Sequence, residues 1–330
     1  MAARYQLFLR NYKFVFFWIV FTTLRLFAQT DLNEAHVVPR ATAPRASDYS
    51  TNQTTIRKNV DLVLVTVTIT DNMNRLITGL DKDNFKLFEN KHEQDIQHFS
   101  SEDTPVSIGI ILDTSSSMNP KIIRAQEAVR DFCKAANPQD EYFLITFADQ
   151  PDDVTRFISN PDEFQRQLAY ATPHGRTALL DAVYLGLHKM ESAKHARRAL
   201  LIISDGGDNH SRYTEHNVVS QVKESNVTVY AIGIYDHTFP TQEEILGPAL
   251  LSKLAHVSGG QAFAIDDPQD LPSVASEVGK ELRNQYVLGY RPQDTPRDGK
   301  WHKIRVKLEV PKRFSFLNVR ARTGYYAPKQ

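Results

Sequence analysis

Between residues 106 and 285 the chain alternates short, almost unbroken apolar runs with longer stretches of helical periodicity. This alternation limits the fold more than any other feature. The runs are VSIGIILD (106–113), EYFLITFAD (141–149), RALLIISDG (198–206), NVTVYAIGIY (226–235) and GQAFAID (260–266). Candidate helices lie near 120–136, 161–170, 177–192, 214–225, 243–257 and 270–284. A strand that is apolar on both faces must be covered on both faces, and the intervening helices can supply that cover. The expected fold is therefore α/β, a doubly wound and mostly parallel sheet of Rossmann-like form. DVTRFI (153–158) reads as an antiparallel edge strand.

The flanks of this region have a different period. DLVLVTVTIT (61–70) alternates β-branched residues up to a turn at Asp71-Asn72, and FKLFENKHEQDIQHF (85–99) reads as two short strands about Asn90-Lys91. After residue 285, NQYVLGYRP, WHKIRVKLEV and NVRARTGYYAP are again strand-like, with a turn at 296–299. Neither flank is large enough to be stable alone. They are expected to combine into one small β-sandwich with the α/β domain inserted between its halves. The expected divisions are 58–103 for the first half, 104–285 for the α/β domain and 286–330 for the second half.

The N-terminus is set apart by composition. Arg4, Arg10 and Lys13 precede the apolar run FVFFWIVFTTL (14–24), which is short of the about 20 residues a membrane span needs. With small Ala28 beyond it, segment 1–28 reads as a secretory signal peptide, or as a retained N-terminal anchor, and no nearby Cys supports a lipoprotein. Polar residues 29–57 read as a flexible spacer. The expected location is secreted or periplasmic, or outward-facing on an inner membrane if the segment is retained. Lys+Arg and Asp+Glu balance at 39 each, so bulk charge favours neither nucleic acid nor a membrane surface as a partner. The one cysteine, Cys133, falls on a helical apolar stripe and reads as a buried thiol, which leaves no internal disulfide.

Three of the apolar runs end in oxygen-rich loops: Asp113-Thr-Ser115-Ser-Ser117, HGRTALLDAV with Thr177 at a helix start, and SDGGDN with Asp205 straight after a strand. Loops at the carboxyl ends of parallel strands converge in space, and ligands of open α/β sheets bind there. Two carboxylates and three hydroxyls, without His or Cys, suit a hard cation. If Ser115, Ser117 and Thr177 bind directly and the Asp residues partly through water, the cation keeps the power to accept a further carboxylate. Capping is the plain alternative for Ser and Asp at such positions, but one residue would suffice for it. Asp208 competes with Asp205, and Asp181 reads as a supporting or helix-face residue.

The order Asp113-x-Ser115-x-Ser117, Thr177, Asp205 resembles the metal-ion-dependent adhesion site of von Willebrand factor type A domains, over about residues 104–285. The flanking segments GLDKDNFKLFENKHEQDIQHF and NVRARTGYYAP are similar to secreted von Willebrand A-related proteins of Acidobacteria. The resemblance implies a bound divalent cation, Mg²⁺ first and Mn²⁺ or Ca²⁺ as alternatives, and a protein partner that presents a Glu or Asp carboxylate. Ser116 and Arg176 depart from the pattern, each standing where Gly is usual. An assembly or scaffold role with a structural metal is the alternative function. A hydrolase is disfavoured, since no G-x-S-x-G elbow occurs and no D-x-D follows the first strand of the α/β region, where Thr114 and Ser115 take its place. The histidines at 174, 195, 210, 216 and 237 lack metal-ligand spacing and are expected on loops and polar faces. Tyr286, Tyr290, Tyr325 and Tyr326 are expected in the core or rim of the sandwich.

Overall fold

The alternating run 61–70 forms β1 (Val63–Thr70), whose inward residues Val65, Val67 and Ile69 are buried. The computed structural model describes residues 62–134, 137–235, 242–292, 298–311 and 316–329. The expected leader (1–28), the spacer (29–57) and His237 lie outside the described residues.

β2 (Phe85–Glu89) and β3 (His92–Gln94) form a hairpin whose turn residues, Asn90 and Lys91, have φ of 47° and 79°. Positive φ at both central positions defines the tight turn that matches strand twist. The segment expected to give two strands gives three, because the chain leaves this hairpin at Asp95 and enters the opposite sheet as β4 (Ile96–Ser100). The α/β region follows: β5 (Val106–Asp113), α1 (Ile122–Lys134), β6 (Glu141–Phe147), β7 (Pro151–Asp153), α2 (Pro161–Leu168), α3 (Leu179–Lys189), β8 (Arg197–Ser204), α4 (Glu215–Glu224), β9 (Thr228–Ile234), α5 (Gln242–Ser258), β10 (Ala262–Ile265) and α6 (Leu271–Arg283). The chain closes with β11 (Tyr286–Tyr290), β12 (Trp301–Leu308), β13 (Asn318–Ala321) and β14 (Gly324–Tyr326).

The central sheet runs β10-β9-β8-β5-β6-β7, parallel except for β7. All eight residues of β5 are buried, as a strand covered on both faces must be. One apolar core packs α1, α2 and α6 on one face of the sheet, and a second packs α3, α4 and α5 on the other. The expected edge strand at 153–158 is displaced to β7. Beyond it the Thr155 hydroxyl takes the Leu144 N–H at 2.8 Å in place of a backbone partner, and only Ile158 returns to bridge Tyr142.

The two flanks build the sandwich together. One sheet is β13-β1-β11-β4 and the other β14-β12-β2-β3, with β1 antiparallel to β11 and β12 antiparallel to β2. Val65, Val67, Phe85 and Leu87 from before the α/β region share a core with Tyr286, Leu288, Ile304 and Val306 from after it. Tyr290 joins that core, Tyr325 packs against it, and Tyr326 stands at the rim, 40% exposed. A buried polar junction ties the sandwich to the α/β sheet. Tyr230 donates to Glu281 Oε1 (2.8 Å), Arg320 Nη2 lies 2.8 Å from Glu281 Oε2, and Gln285 Nε2 donates to Tyr230 (3.0 Å) and Thr68 (3.3 Å).

Strand order reverses beside β5. The chain passes from β5 to β6 on one side, and β8 lies on the other. The cleft at the carboxyl ends of β5 and β8 is thus the topological switch point, where open α/β sheets bind ligands.

Candidate metal centre

β5 delivers Asp113 to this cleft with no exposed surface, and β8 delivers Ser204 and then Asp205, 1% exposed. A chain of polar contacts joins the two strand ends. Ser204 Oγ donates to Asp113 Oδ2 (2.5 Å), and the Ser115 backbone N–H donates to Asp113 Oδ1 (2.8 Å). Ser115 Oγ and Ser117 Oγ lie 3.0 Å apart, and Ser117 Oγ donates to Asp205 Oδ1 (2.8 Å). Four of the five expected residues, Asp113, Ser115, Ser117 and Asp205, are therefore one connected set. Ser115 is buried, whereas Ser116 and Ser117 are exposed at the mouth.

Thr177, the fifth, makes no hydrogen bond to the other four among the described residues. It is buried on the adjoining loop, and that loop is laced to the first one: His174 N–H donates to Thr114 O (2.7 Å) and Ser116 N–H to Gly175 O (3.1 Å). Asn209 holds it from the third loop, accepting the Thr177 N–H at Oδ1 (2.9 Å) and returning its own N–H to Thr177 O (3.0 Å). Gly175 has φ of +66°, and a Cβ there would fall 2.4 Å from Asp149 Oδ2, so a side chain at this position would strain the backbone and displace the Asp149 carboxylate. Arg176 is engaged with Asp149, its Nε donating to Asp149 Oδ1 (2.9 Å).

Capping does not account for these side chains. Ser115 stands at the N-cap of the short 3₁₀ turn Ser116–Met118 yet makes no side-chain capping bond. Helix α3 begins at Leu179 after an Ala178 N-cap, and its Leu180 N–H is taken by Asp208 Oδ1 (3.1 Å). Asp208 is thus occupied at the helix start, leaving Asp205 facing the cleft. Asp181 Oδ1 accepts the N–H groups of Arg212 (2.8 Å) and Tyr213 (3.0 Å) and so holds the third loop.

Two residues that the sequence reading passed over complete the centre. Lys121 Nζ donates to Asp205 Oδ2 (2.8 Å) from the turn that leads into α1. A lysine near a helix start carries no sequence signal for such a role. Ser204 did carry one, being a hydroxyl at the end of an otherwise apolar run. The electrostatics follow from burial. Loss of solvent, then the nearby Asp205 charge, pushes the Asp113 carboxyl up to about 6, against the lowering effect of its Ser204 and Ser115 bonds. A buried pair of carboxylates ringed by hydroxyls calls for positive charge, of which Lys121 supplies one unit. Among the described residues no group of three or more His, Cys, Asp or Glu side chains is placed to hold a metal. The donors here are two carboxylates with hydroxyls, a set that fits a hard cation. Among the described residues the histidines do not gather: His174 Nδ1 is 3.0 Å from Thr172 O and His195 Nε2 is 2.9 Å from Gln139 O. A groove of about 880 Å³ runs beside the Thr177 loop, with Asp149, Tyr184, His210 and Tyr213 among its walls. The Tyr184 and Tyr213 rings stack there, with centroids 3.9 Å apart.

A mostly parallel sheet wound on both faces, with an oxygen-lined cleft at its switch point, defines a doubly wound α/β domain. Residues 108–207 match the von Willebrand factor type A domain model, and the chain carries a domain of that family. Heavy chain 4 of the mouse (Mus musculus) inter alpha-trypsin inhibitor is 23% identical over 224 residues, covering 60% of this chain and 23% of that protein. The chain thus spans less than a quarter of that relative's length. Among solved structures, a von Willebrand factor type A protein from Catenulispora acidiphila is 13% identical with a TM-score of 0.48, covering 83% of this chain and 75% of that one. Proximal thread matrix protein 1 of the mussel byssus, solved with a zinc-occupied MIDAS motif, is 16% identical with a TM-score of 0.48, covering 59% and 49%.

Proposed function

We propose that this chain is an exported binding protein whose von Willebrand A domain holds a divalent cation and engages an acidic residue of a protein partner through it. The observation that carries this reading is the continuous set Asp113, Ser115, Ser117 and Asp205 at the carboxyl edge of β5 and β8. With Thr177 from the adjoining loop, these residues would hold Mg²⁺, or else Mn²⁺ or Ca²⁺. The cation supplies a Lewis-acidic point that can accept a carboxylate. Lys121 neutralises part of the carboxylate charge and so leaves more of the cation's charge for an incoming anion. Ser117, exposed at the mouth, marks the side from which the partner approaches. The groove beside Thr177 would receive residues next to the partner's acid.

Binding rather than catalysis is favoured by the surroundings of Ser115. Its hydroxyl is engaged with Ser117, and the His174 ring is turned to the Thr172 carbonyl, so among the described residues no histidine is placed to activate Ser115. Export rests on the character of segment 1–28, and among the described residues no helix is long and apolar enough to cross a membrane. Capture of a partner from an envelope extract, with and without chelator, tests the proposal. Retention that is lost on chelation, restored by Mg²⁺ and absent in Asp113→Ala supports it. Retention indifferent to chelator and to that substitution contradicts it.

A further inference from the structure

The outer face of the sheet β14-β12-β2-β3 concentrates positive charge in a chain whose formal net charge is zero. Along β12 the residues pointing inward are buried, while Lys303, Arg305 and Lys307 point outward and are exposed. Successive outward side chains on a strand lie about 6.8 Å apart, so these three form a row about 14 Å long. Arg305 stands opposite Phe88 of β2, and Lys307 opposite Lys86. Phe88, Asn90, Lys91, Lys303, Arg305 and Lys307 line a hollow of about 360 Å³, with Lys307 Nζ 5.1 Å from the centre of the Phe88 ring.

Stability does not explain this arrangement. Like charges placed directly across a sheet repel. Among the described residues no carboxylate lies within ion-pair distance of Lys91, Lys303, Arg305 or Lys307. The acids bordering this face, Glu93 and Glu309, are drawn to Lys86, at 3.0 and 3.9 Å. Two steps before Lys303 on the same face comes Trp301, paired in register with Tyr326, their rings 5.1 Å apart. The strip therefore runs for about 20 Å from an aromatic pair through three cations.

We infer that this strip is a binding surface for an acidic polysaccharide, whose carboxylate or sulfate groups pair with Lys91, Lys303, Arg305 and Lys307 and whose sugar rings lie against Phe88 and Tyr326. The length accommodates a short run of sugar units, and the row of cations fits a linear polyanion. With zero net charge and a pI of about 7.2, attraction of a polyanion falls to this local strip rather than to the field of the whole molecule. Glu93 and Glu309 at the border, and the recessed Phe88, disfavour flat contact with an anionic bilayer. The inference does not depend on the proposed cation centre.

The test uses the full chain and titrates it with oligogalacturonate and heparin oligosaccharides at 150 mM salt. A neutral maltooligosaccharide, a single-stranded DNA oligomer of matched charge and phosphatidylserine vesicles are the comparison probes. The expected result is binding to an acidic oligosaccharide, tighter than to DNA or vesicles and absent for the neutral sugar. It should weaken at least tenfold in Lys303→Gln/Arg305→Gln/Lys307→Gln. If the triple variant melts earlier than the parent, Arg305→Gln alone serves, with a loss of about threefold expected. No binding even at 50 mM salt, tighter binding to DNA or vesicles, or affinity unchanged by the substitutions would overturn the inference.

Discussion

Lys121 sets the charge of the proposed cation centre. Its ammonium lies against Asp205 with the side chain only 14% exposed, so its field is poorly screened there. With Asp113 and Asp205 ionised and Lys121 charged, the centre has one net negative charge. Replacing Lys121 by Met removes a competing cation and keeps the bulk of the side chain. Divalent-cation affinity should then rise about tenfold, measured with Mn²⁺ by paramagnetic resonance, while Lys121→Arg stays within about twofold of the parent. Equal affinity in Lys121→Met and the parent would show that the ammonium does not act on the centre. Cys133 illustrates the opposite case of a residue with chemistry it cannot express. It is 2% exposed within the α1 core, and burial pushes its thiol up to about 12. At pH 8 the native protein should leave a thiol reagent unconsumed over a period in which the urea-unfolded chain reacts fully.

At the scale of elements, α6 is the piece that connects the α/β sheet to the sandwich. Glu281 is 2% exposed and faces Tyr230 of β9 and Arg320 of β13. Glu281→Ala leaves the Arg320 guanidinium, 20% exposed, without its carboxylate. The variant should lose about 3 kcal/mol in urea unfolding. A loss below about 0.5 kcal/mol would mean that the junction is not a stabilising contact. The same elements show what a sequence reveals and what it conceals. The runs 106–113 and 198–206 announced buried parallel strands, because a strand apolar on both faces has few other places to go. The helix starts were legible from the return of polar residues. The splitting of 85–99 into three strands was not, since β3 and β4 differ only in which sheet each joins past Asp95. NVRARTGYYAP divides for the same reason into β13 and β14, one in each sheet.

At the scale of the whole molecule, one sheet edge collects loops that are far apart in sequence, and this is why the convergence of these side chains could be read before the structure. Asp113, Ser115, Ser117 and Asp205 sit at strand ends whose convergence is dictated by parallel topology. Lys121 was invisible because its role depends on the path of a turn, and a lysine there looks like any solvated helix start. Thr177 was legible as a loop residue, while its tie to Asn209 depends on how the third loop folds back. The sandwich followed from the rule that two incomplete β segments must find cover, although pairing β1 with β11 required the structure. Bound cation stabilises the native state by mass action, by about 2.7 kcal/mol at a hundredfold excess over Kd. For a domain of this size that corresponds to about 5–10 °C in Tm. Thermal unfolding in millimolar Mg²⁺ or Mn²⁺ against chelator, for the parent and Asp113→Ala, tests the cation centre most directly. The parent should melt about 5–10 °C higher with cation, and Asp113→Ala should show no such rise. A parent whose Tm is the same with Mg²⁺, Mn²⁺, Ca²⁺ and chelator would contradict the account.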